Sequence, residues 1–152
     1  MKIIVFSDSH GRYEPMINAI ADERPDMMLF LGDGLRDIDR VREVYPKLTI
    51  RAVCGNCDFG AFEAQNDEFV CGGKRIFMTH GHKYNVKCGY NRIVNTACCS
   101  GADILLFGHT HFAFCRNMYG ILIANPGSVG RDGAYGVIEI INGEARYSAK
   151  RV

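Results

Sequence analysis

Five short polar clusters in the 152-residue chain carry side chains that could act together: Ser7-Asp8-Ser9-His10-Gly11, Gly32-Asp33-Gly34, Cys54-Gly55-Asn56-Cys57-Asp58, Thr79-His80-Gly81-His82 and Gly108-His109-Thr110-His111. Carboxylate, imidazole and amide oxygen suit divalent cations such as Mn²⁺, Fe²⁺ or Zn²⁺. Asp8, His10, Asp33, Asn56, His80, His109 and His111 make seven candidate ligands. One cation takes about four to six ligands including water, so this set suggests two cations with one carboxylate between them. Two cations about 3.5–4 Å apart form a clamp for in-line displacement at phosphorus. The glycines beside the ligands let the backbone turn sharply and approach an ion closely.

Each cluster follows an apolar run. Lys2 to Phe6, Met27 to Leu31, Leu48 to Val53 and Ile104 to Phe107 read as buried strands. Pro15 to Glu23 reads as a helix with Met16, Ile17, Ile20 and Ala21 on one face; Asp37 to Val44 reads as another, with Ile38, Val41 and Val44 in step. The first sixty residues thus run strand-helix-strand-helix-strand, which demands parallel strands and right-handed crossovers. The second half is built of hairpins. Asp67 to Cys71 and Arg75 to Thr79 flank Gly72-Gly73, Ala113 to Met118 and Ile121 to Ala124 flank Tyr119-Gly120, and Tyr135 to Ile141 and Glu144 to Ala149 flank Asn142-Gly143. Tyr90 to Cys99 reads as a helix stopped at Ser100-Gly101. The whole reads as one domain, residues 1–152, with two sheets sharing a core and helices outside. In open α/β sheets the loops at the carboxyl ends of strands share one crevice, so the five clusters should converge.

Composition narrows the function classes. The formal net charge is +1, which gives no bias toward nucleic acid or membrane surfaces. No apolar run reaches the roughly 18 residues of a spanning helix. MKIIVF is too short for a signal-peptide core. The seven cysteines are odd in number and irregular in spacing, so reduced thiols in a cytoplasm are expected rather than a disulfide framework. Oligomeric state is not readable.

The order Asp8-x-His10, Gly32-Asp33, Gly55-Asn56, His80, Gly108-His109-x-His111 resembles the calcineurin-like metallophosphoesterase superfamily over nearly the whole chain. The compact length and the SDSHG, GNCD, THGH and GHTH stretches look most like its small YfcE-type phosphodiesterase branch. The resemblance implies a four-layer α/β/β/α sandwich of two mixed sheets. It implies that Asp8, His10 and His111 hold one metal, that Asn56, His80 and His109 hold a second, and that Asp33 bridges them. It further implies hydrolysis of a small phosphate ester by a hydroxide held between the metals, with Asp33, Asn56, His80 and His109 at the reacting centre. Mn²⁺ is the first expectation, with Fe²⁺, Ni²⁺ or Zn²⁺ as alternatives.

One position departs from many larger members of that superfamily, which carry His directly after the Asn. Here it is Cys57, followed by Asp58. A thiol with a pKa near about 8.5 is a poorer general acid at neutral pH than imidazolium, so aryl leaving groups should be preferred. Arg12, Cys57, Asp58 and His82 are candidates for supporting or substrate contacts. Arg12 and His82 read equally as solvated loop residues. Cys54 and Cys57 read as unreactive thiols near the site, Cys98-Cys99 as core, and Asp37, Asp39, Arg40 and Arg42 as an exposed helix face. Asn125-Pro126-Gly127-Ser128 reads as a turn that could shape the pocket wall. Imidazole must be neutral to bind metal, so affinity and activity should fall below about pH 6. The competing class is a protein-interaction scaffold like a eukaryotic retromer subunit of similar fold, whose metal site is degraded. The full set of ligand types here favours the enzyme.

Overall fold

Alternation along two adjacent strands builds the first three layers. In β1 (Lys2–Phe6), Ile3 and Val5 face one side while Ile4 and Phe6 face the other, and all four are fully buried. In β2 (Met27–Phe30), Leu29 repeats the first side, and Met28 and Phe30 the second. Strands buried on both faces must lie between two other layers. The computed structural model describes residues 1–152 and supplies those layers.

α1 (Glu14–Glu23) and α2 (Leu35–Val44) join β1, β2 and β3 (Thr49–Ala52) by parallel crossovers. Met16, Ile20, Ile38 and Val41 pack on Ile4, Phe6, Met28 and Phe30. β9 (Ala134–Ile141) and β10 (Glu144–Arg151) complete this sheet in the order β10-β9-β1-β2-β3. Asn142 and Gly143 both have positive φ, as a tight two-residue hairpin turn requires. The second sheet runs β4-β5-β6-β8-β7. Its strands are β4 (Asn66–Cys71), β5 (Lys74–Thr79), β6 (Ile104–Phe107), β7 (Phe114–Met118) and β8 (Ile121–Asn125). Ile76, Met78, Ile104 and Leu106 meet Ile3, Val5, Leu29 and Leu31 in the central core. Phe77, Leu105, Phe107 and Ile123 face outward onto α3 (Asn91–Ser100). The architecture is therefore two mixed five-stranded sheets face to face, flanked by helices. No helix is long and apolar enough to cross a membrane.

Three local expectations are corrected. Cys98 and Cys99 are exposed, not core, because Ile93, Val94 and Ala97 occupy the buried stripe of α3 and the next two positions rotate away from it. Val44 is half exposed because successive steps of three residues from Ile38 through Val41 rotate it off the buried stripe of α2. Asp37 does not join the exposed charges of α2: it is buried, while Asp39 pairs with Arg42 and Arg40 with Glu43 on the outer face. A short helix α4 (Val129–Asp132), capped by the Ser128 hydroxyl accepting from Arg131 N–H, follows the Asn125-Pro126-Gly127-Ser128 turn.

Candidate metal centre

The loops after β1, β2, β3, β5 and β6 meet at one edge of the sandwich. Asp8 lies at its centre and is completely buried. Its Oδ2 accepts hydrogen bonds from Ser7 Oγ at 2.5 Å and from the His109 N–H at 3.1 Å. Its Oδ1 is buried and accepts none. Around that oxygen stand His111 Nε2 at 3.1 Å and the Nε2 atoms of His10 and His80 at 3.9 Å each. Burial raises the Asp8 carboxyl above its ordinary range, against the opposing pull of His80 and the Ser7 hydroxyl. His10 and His111 bring their Nε2 atoms within 3.5 Å of each other, so both rings aim at one point beside Asp8.

A second group adjoins the first. His80 is completely buried, and its Nδ1–H donates to the Leu31 carbonyl at 2.7 Å. A carbonyl only accepts, so that bond fixes the proton on Nδ1 and turns Nε2 toward the site. His80 Nε2 lies 3.4 Å from Asp33 Oδ2 and 3.1 Å from His109 Nδ1. Burial opposes ionisation of Asp33, but the His80 hydrogen bond and the Cys57 N–H, 2.7 Å from Oδ1, outweigh it and hold this carboxyl well below the usual range. Burial lowers the His80 pKa, yet Asp33 and Asp8 together bring it above the ordinary value. His109 is pushed down to about 4, first by burial and then by the charges of His80 and Lys87.

Ligand atoms of Asp8, His10 and His111 all fall within 4.8 Å of one another, as do those of Asp33, His80 and His109, and those of His10, Asp33 and Cys57. Six of the seven candidate ligands therefore converge. Asn56 sits on the same rim but exposed, outside the three groups, and its Nδ2 donates to Cys57 Sγ at 3.3 Å. His82 stands beside it, with ring centroids 5.5 Å from His80 and 6.1 Å from His109, and its buried Nδ1 has no partner. Arg12 is exposed and donates to the Gly130 carbonyl at 2.7 Å. The Cys57 thiol is pushed up by burial and then by Asp33.

The backbone is bent to make this convergence. Asp8, His10, Asp33, His109 and His111 all have φ between 47° and 65°. Side-chain-bearing residues in the left-handed region carry strain of about 1–3 kcal/mol each, and such residues cluster where function holds them. Gly108 shows why small residues flank the ligands: a Cβ there would collide with Ser7 Oγ and lie 3.0 Å from Asp8 Oδ2.

Asp58 organises the Asp33 side. Its carboxylate accepts N–H bonds from Asp33, Gly34, Leu35 and Gly55 at 2.7–2.9 Å, tying two ligand loops together at the start of α2. Asp37 does the same for the Asp8 loop, accepting from Ser9 Oγ at 2.5 Å and Gly11 N–H at 2.8 Å. Ser128 Oγ donates to the Asp8 carbonyl, and Asn125 Nδ2 to the Gly108 carbonyl, both at 2.8 Å. Sequence reasoning missed Ser7, Ser9, Asp37, Asn125 and Ser128 in these roles. The Asn125–Ser128 turn was the only signal among them.

Residues 1–142 match the calcineurin-like phosphoesterase superfamily domain. The chain is 33% identical over 133 residues to "Probable metallophosphoesterase YsnB" of Bacillus subtilis (strain 168), covering 85% of this chain and 75% of that protein. It is 26% identical to "Phosphodiesterase YfcE" of Escherichia coli (strain K12), covering 91% and 88%. A solved structure of Yfce, a phosphoesterase from E. coli, overlays at 25% identity with a TM-score of 0.70 over 99% of both chains. Zinc-complexed Vps29 of Entamoeba histolytica shares the fold at 19% identity, with a TM-score of 0.78 over 99% of each chain. The ordered ligand loops, the paired mixed sheets and these matches agree: the chain belongs to the calcineurin-like phosphoesterase superfamily.

Proposed function

We propose that this chain is a metal-dependent phosphodiesterase that holds two divalent cations and cleaves small phosphate esters by in-line displacement. The observation that carries the reading is Asp8 Oδ1, a buried carboxylate oxygen with no hydrogen bond, faced by three imidazole nitrogens. A buried carboxylate oxygen without a partner calls for a cation, and carboxylate with imidazole is a donor set that divalent metals fit. Asp8, His10 and His111 would hold one ion; His80, His109 and Asn56 would hold the other, Asn56 after turning from Cys57; Asp33 would serve both. When bound, such ions supply an acidified water as nucleophile and neutralise charge on the phosphoryl oxygens. Asp58 and Asp37 keep the ligand loops in register. The Leu31 carbonyl keeps the His80 proton on Nδ1, away from the reacting side. Cys57 occupies the position beside Asn56 where a proton donor would serve the leaving group; its raised pKa keeps it a thiol, a weak acid, which favours leaving groups that need little protonation. Mn²⁺ is the first ion to try, then Fe²⁺, Ni²⁺ and Zn²⁺.

The test is hydrolysis of bis-p-nitrophenyl phosphate by chelator-stripped protein, with and without Mn²⁺, beside Asp33→Ala. The expected result is turnover that needs metal and falls at least about 10³-fold in the variant. A scaffold role is the second reading, raised by the fold shared with Vps29. It expects folded, metal-binding protein with no turnover on any diester.

A further inference from the structure

A cavity of about 570 Å³ opens beside the ligand cluster, lined by His10, Asp33 and Cys57 and also by Phe59, Phe62 and Arg36. That volume falls within the ~300–1,000 Å³ of small-molecule sites. Phe59 is 88% exposed and Phe62 fully so, at 103%. Folding leaves these two rings in water, which forfeits the burial that apolar side chains normally gain. Phe112, next to His111, differs: the Arg131 guanidinium stands over its ring at 5.5 Å. No aromatic ring or guanidinium stacks on Phe59 or Phe62. Arg36 is likewise uncommitted. It makes no ion pair, whereas Arg40 and Arg42 of the same helix pair with Glu43 and Asp39.

We propose that Phe59, Phe62 and Arg36 form a subsite for the non-reacting arm of the substrate, and that this arm carries a nucleobase. The substrate class is then a nucleoside phosphodiester. This rests on the phosphodiesterase reading of the adjoining cluster. His10, Asp33 and Cys57 of the cluster line one cavity with the two rings, so a phosphate held at the first places its ester arm along the second. Phenylalanine offers a π face and no hydrogen bond, which suits stacking of any base rather than selection of one. Arg36 supplies positive charge for the anionic ester or stacks on the base. A second copy of this chain would explain exposed rings but not their sharing a cavity with Asp33 and His10.

Two p-nitrophenyl diesters with the same leaving group separate the subsite from the chemistry: thymidine 5′-(p-nitrophenyl phosphate) and ethyl p-nitrophenyl phosphate. Stacking on an aromatic side chain should raise kcat/KM for the thymidine ester over the ethyl ester on the order of tenfold or more in wild type. The ratio should collapse toward one in Phe59→Ala/Phe62→Ala and persist in Phe59→Tyr/Phe62→Tyr. Equal kcat/KM for both esters in wild type would overturn the subsite while leaving the phosphodiesterase reading intact. Binding of thymidine 5′-monophosphate against methyl phosphate, by calorimetry on the metal-loaded chain, decides the subsite even if neither ester turns over. Thymidine monophosphate binding about tenfold tighter, and losing that margin in the double alanine variant, supports it. Equal affinities overturn it.

Discussion

The two halves of the ligand cluster are built differently. Asp33 and His80 are anchored by the fold itself: Asp33 by the Cys57 N–H and His80, His80 by the Leu31 carbonyl, and the whole loop by Asp58. On the Asp8 side only the carboxylate is buried. The His10 and His111 side chains are 40% and 30% exposed, and Asp8 Oδ1 is left bare between them. Both loops are tied by a carboxylate, but the side chains of one half are held by the fold while the other half leaves a buried carboxylate oxygen unmet. Opposite pKa shifts follow from this. The Asp33 carboxyl is held down by its partners, and the Asp8 carboxyl is pushed up by burial. Ionised Asp33 therefore contributes stability above the ordinary carboxylate pKa, and that stability is lost as pH falls through the depressed value. Asp8 behaves oppositely: its contribution is present below the ordinary value and is lost as pH rises through the elevated one.

The largest expected effect breaks the anchored half. Asp58→Ala leaves four backbone N–H groups without their acceptor, and chemical denaturation of metal-free protein should show a loss of about 3 kcal/mol. A loss under about 1 kcal/mol would mean that water replaces the carboxylate and the loops are not tied there.

Next in size is a matched pair. His80→Ala, at a wholly buried position, should destabilise the metal-free protein by roughly 2 kcal/mol more than His111→Ala, which removes a partly exposed ring. Both should lose metal-induced stabilisation in thermal melts. Equal destabilisation would erase the distinction between the halves.

Asp8→Asn should reverse the usual direction. It removes a buried charge without a full partner set, so metal-free protein should gain about 1 kcal/mol, while the rise in Tm on adding Mn²⁺ disappears. A metal-free Tm below wild type would contradict the unmet charge assigned to this oxygen.

The smallest effect, since His109 is only partly buried and solvent screens its charge, is a pH slope. Because His109 is lowered from 6.5 to about 4, its neutral form contributes stability above pH 6.5 that is lost as pH falls toward 4. His109→Gln should flatten the stability curve of metal-free protein across that window. An unchanged slope would place the titration elsewhere in the cluster.

The convergence of Asp8, His10, Asp33, His80, His109 and His111 was legible in the sequence because each follows an apolar run at a strand end, and chain order alone delivers them to one edge. Element positions were also legible, mostly to within two residues: Pro15 to Glu23 is Glu14–Glu23, and Leu48 to Val53 is Thr49–Ala52. Of the two supporting carboxylates, Asp37 was not: it looks like one more charge on a helix surface until Ser9 and Gly11, 28 and 26 residues earlier, are folded against it. Asp58 stood among the candidates for supporting contacts, but its partners, the N–H groups of Asp33, Gly34 and Leu35, are set only by the fold. Left-handed backbone at Asp8, His10, Asp33, His109 and His111 was equally hidden: Asp and His tolerate it better than most side chains, but positive φ is uncommon for any non-glycine residue and the sequence does not mark where it occurs. The burial stripe of α3 decided against Cys98 and Cys99, which composition alone would place inside.

The most direct measurement is the number of Mn²⁺ ions bound per chain at equilibrium, by dialysis and elemental analysis, for wild type and Asp8→Asn. The expected result is two ions in wild type and at most one in the variant, retained by the anchored Asp33–His80–His109 group. Folded wild-type protein that retains no ion, with Mn²⁺ or with Fe²⁺, Ni²⁺ or Zn²⁺, would contradict the account.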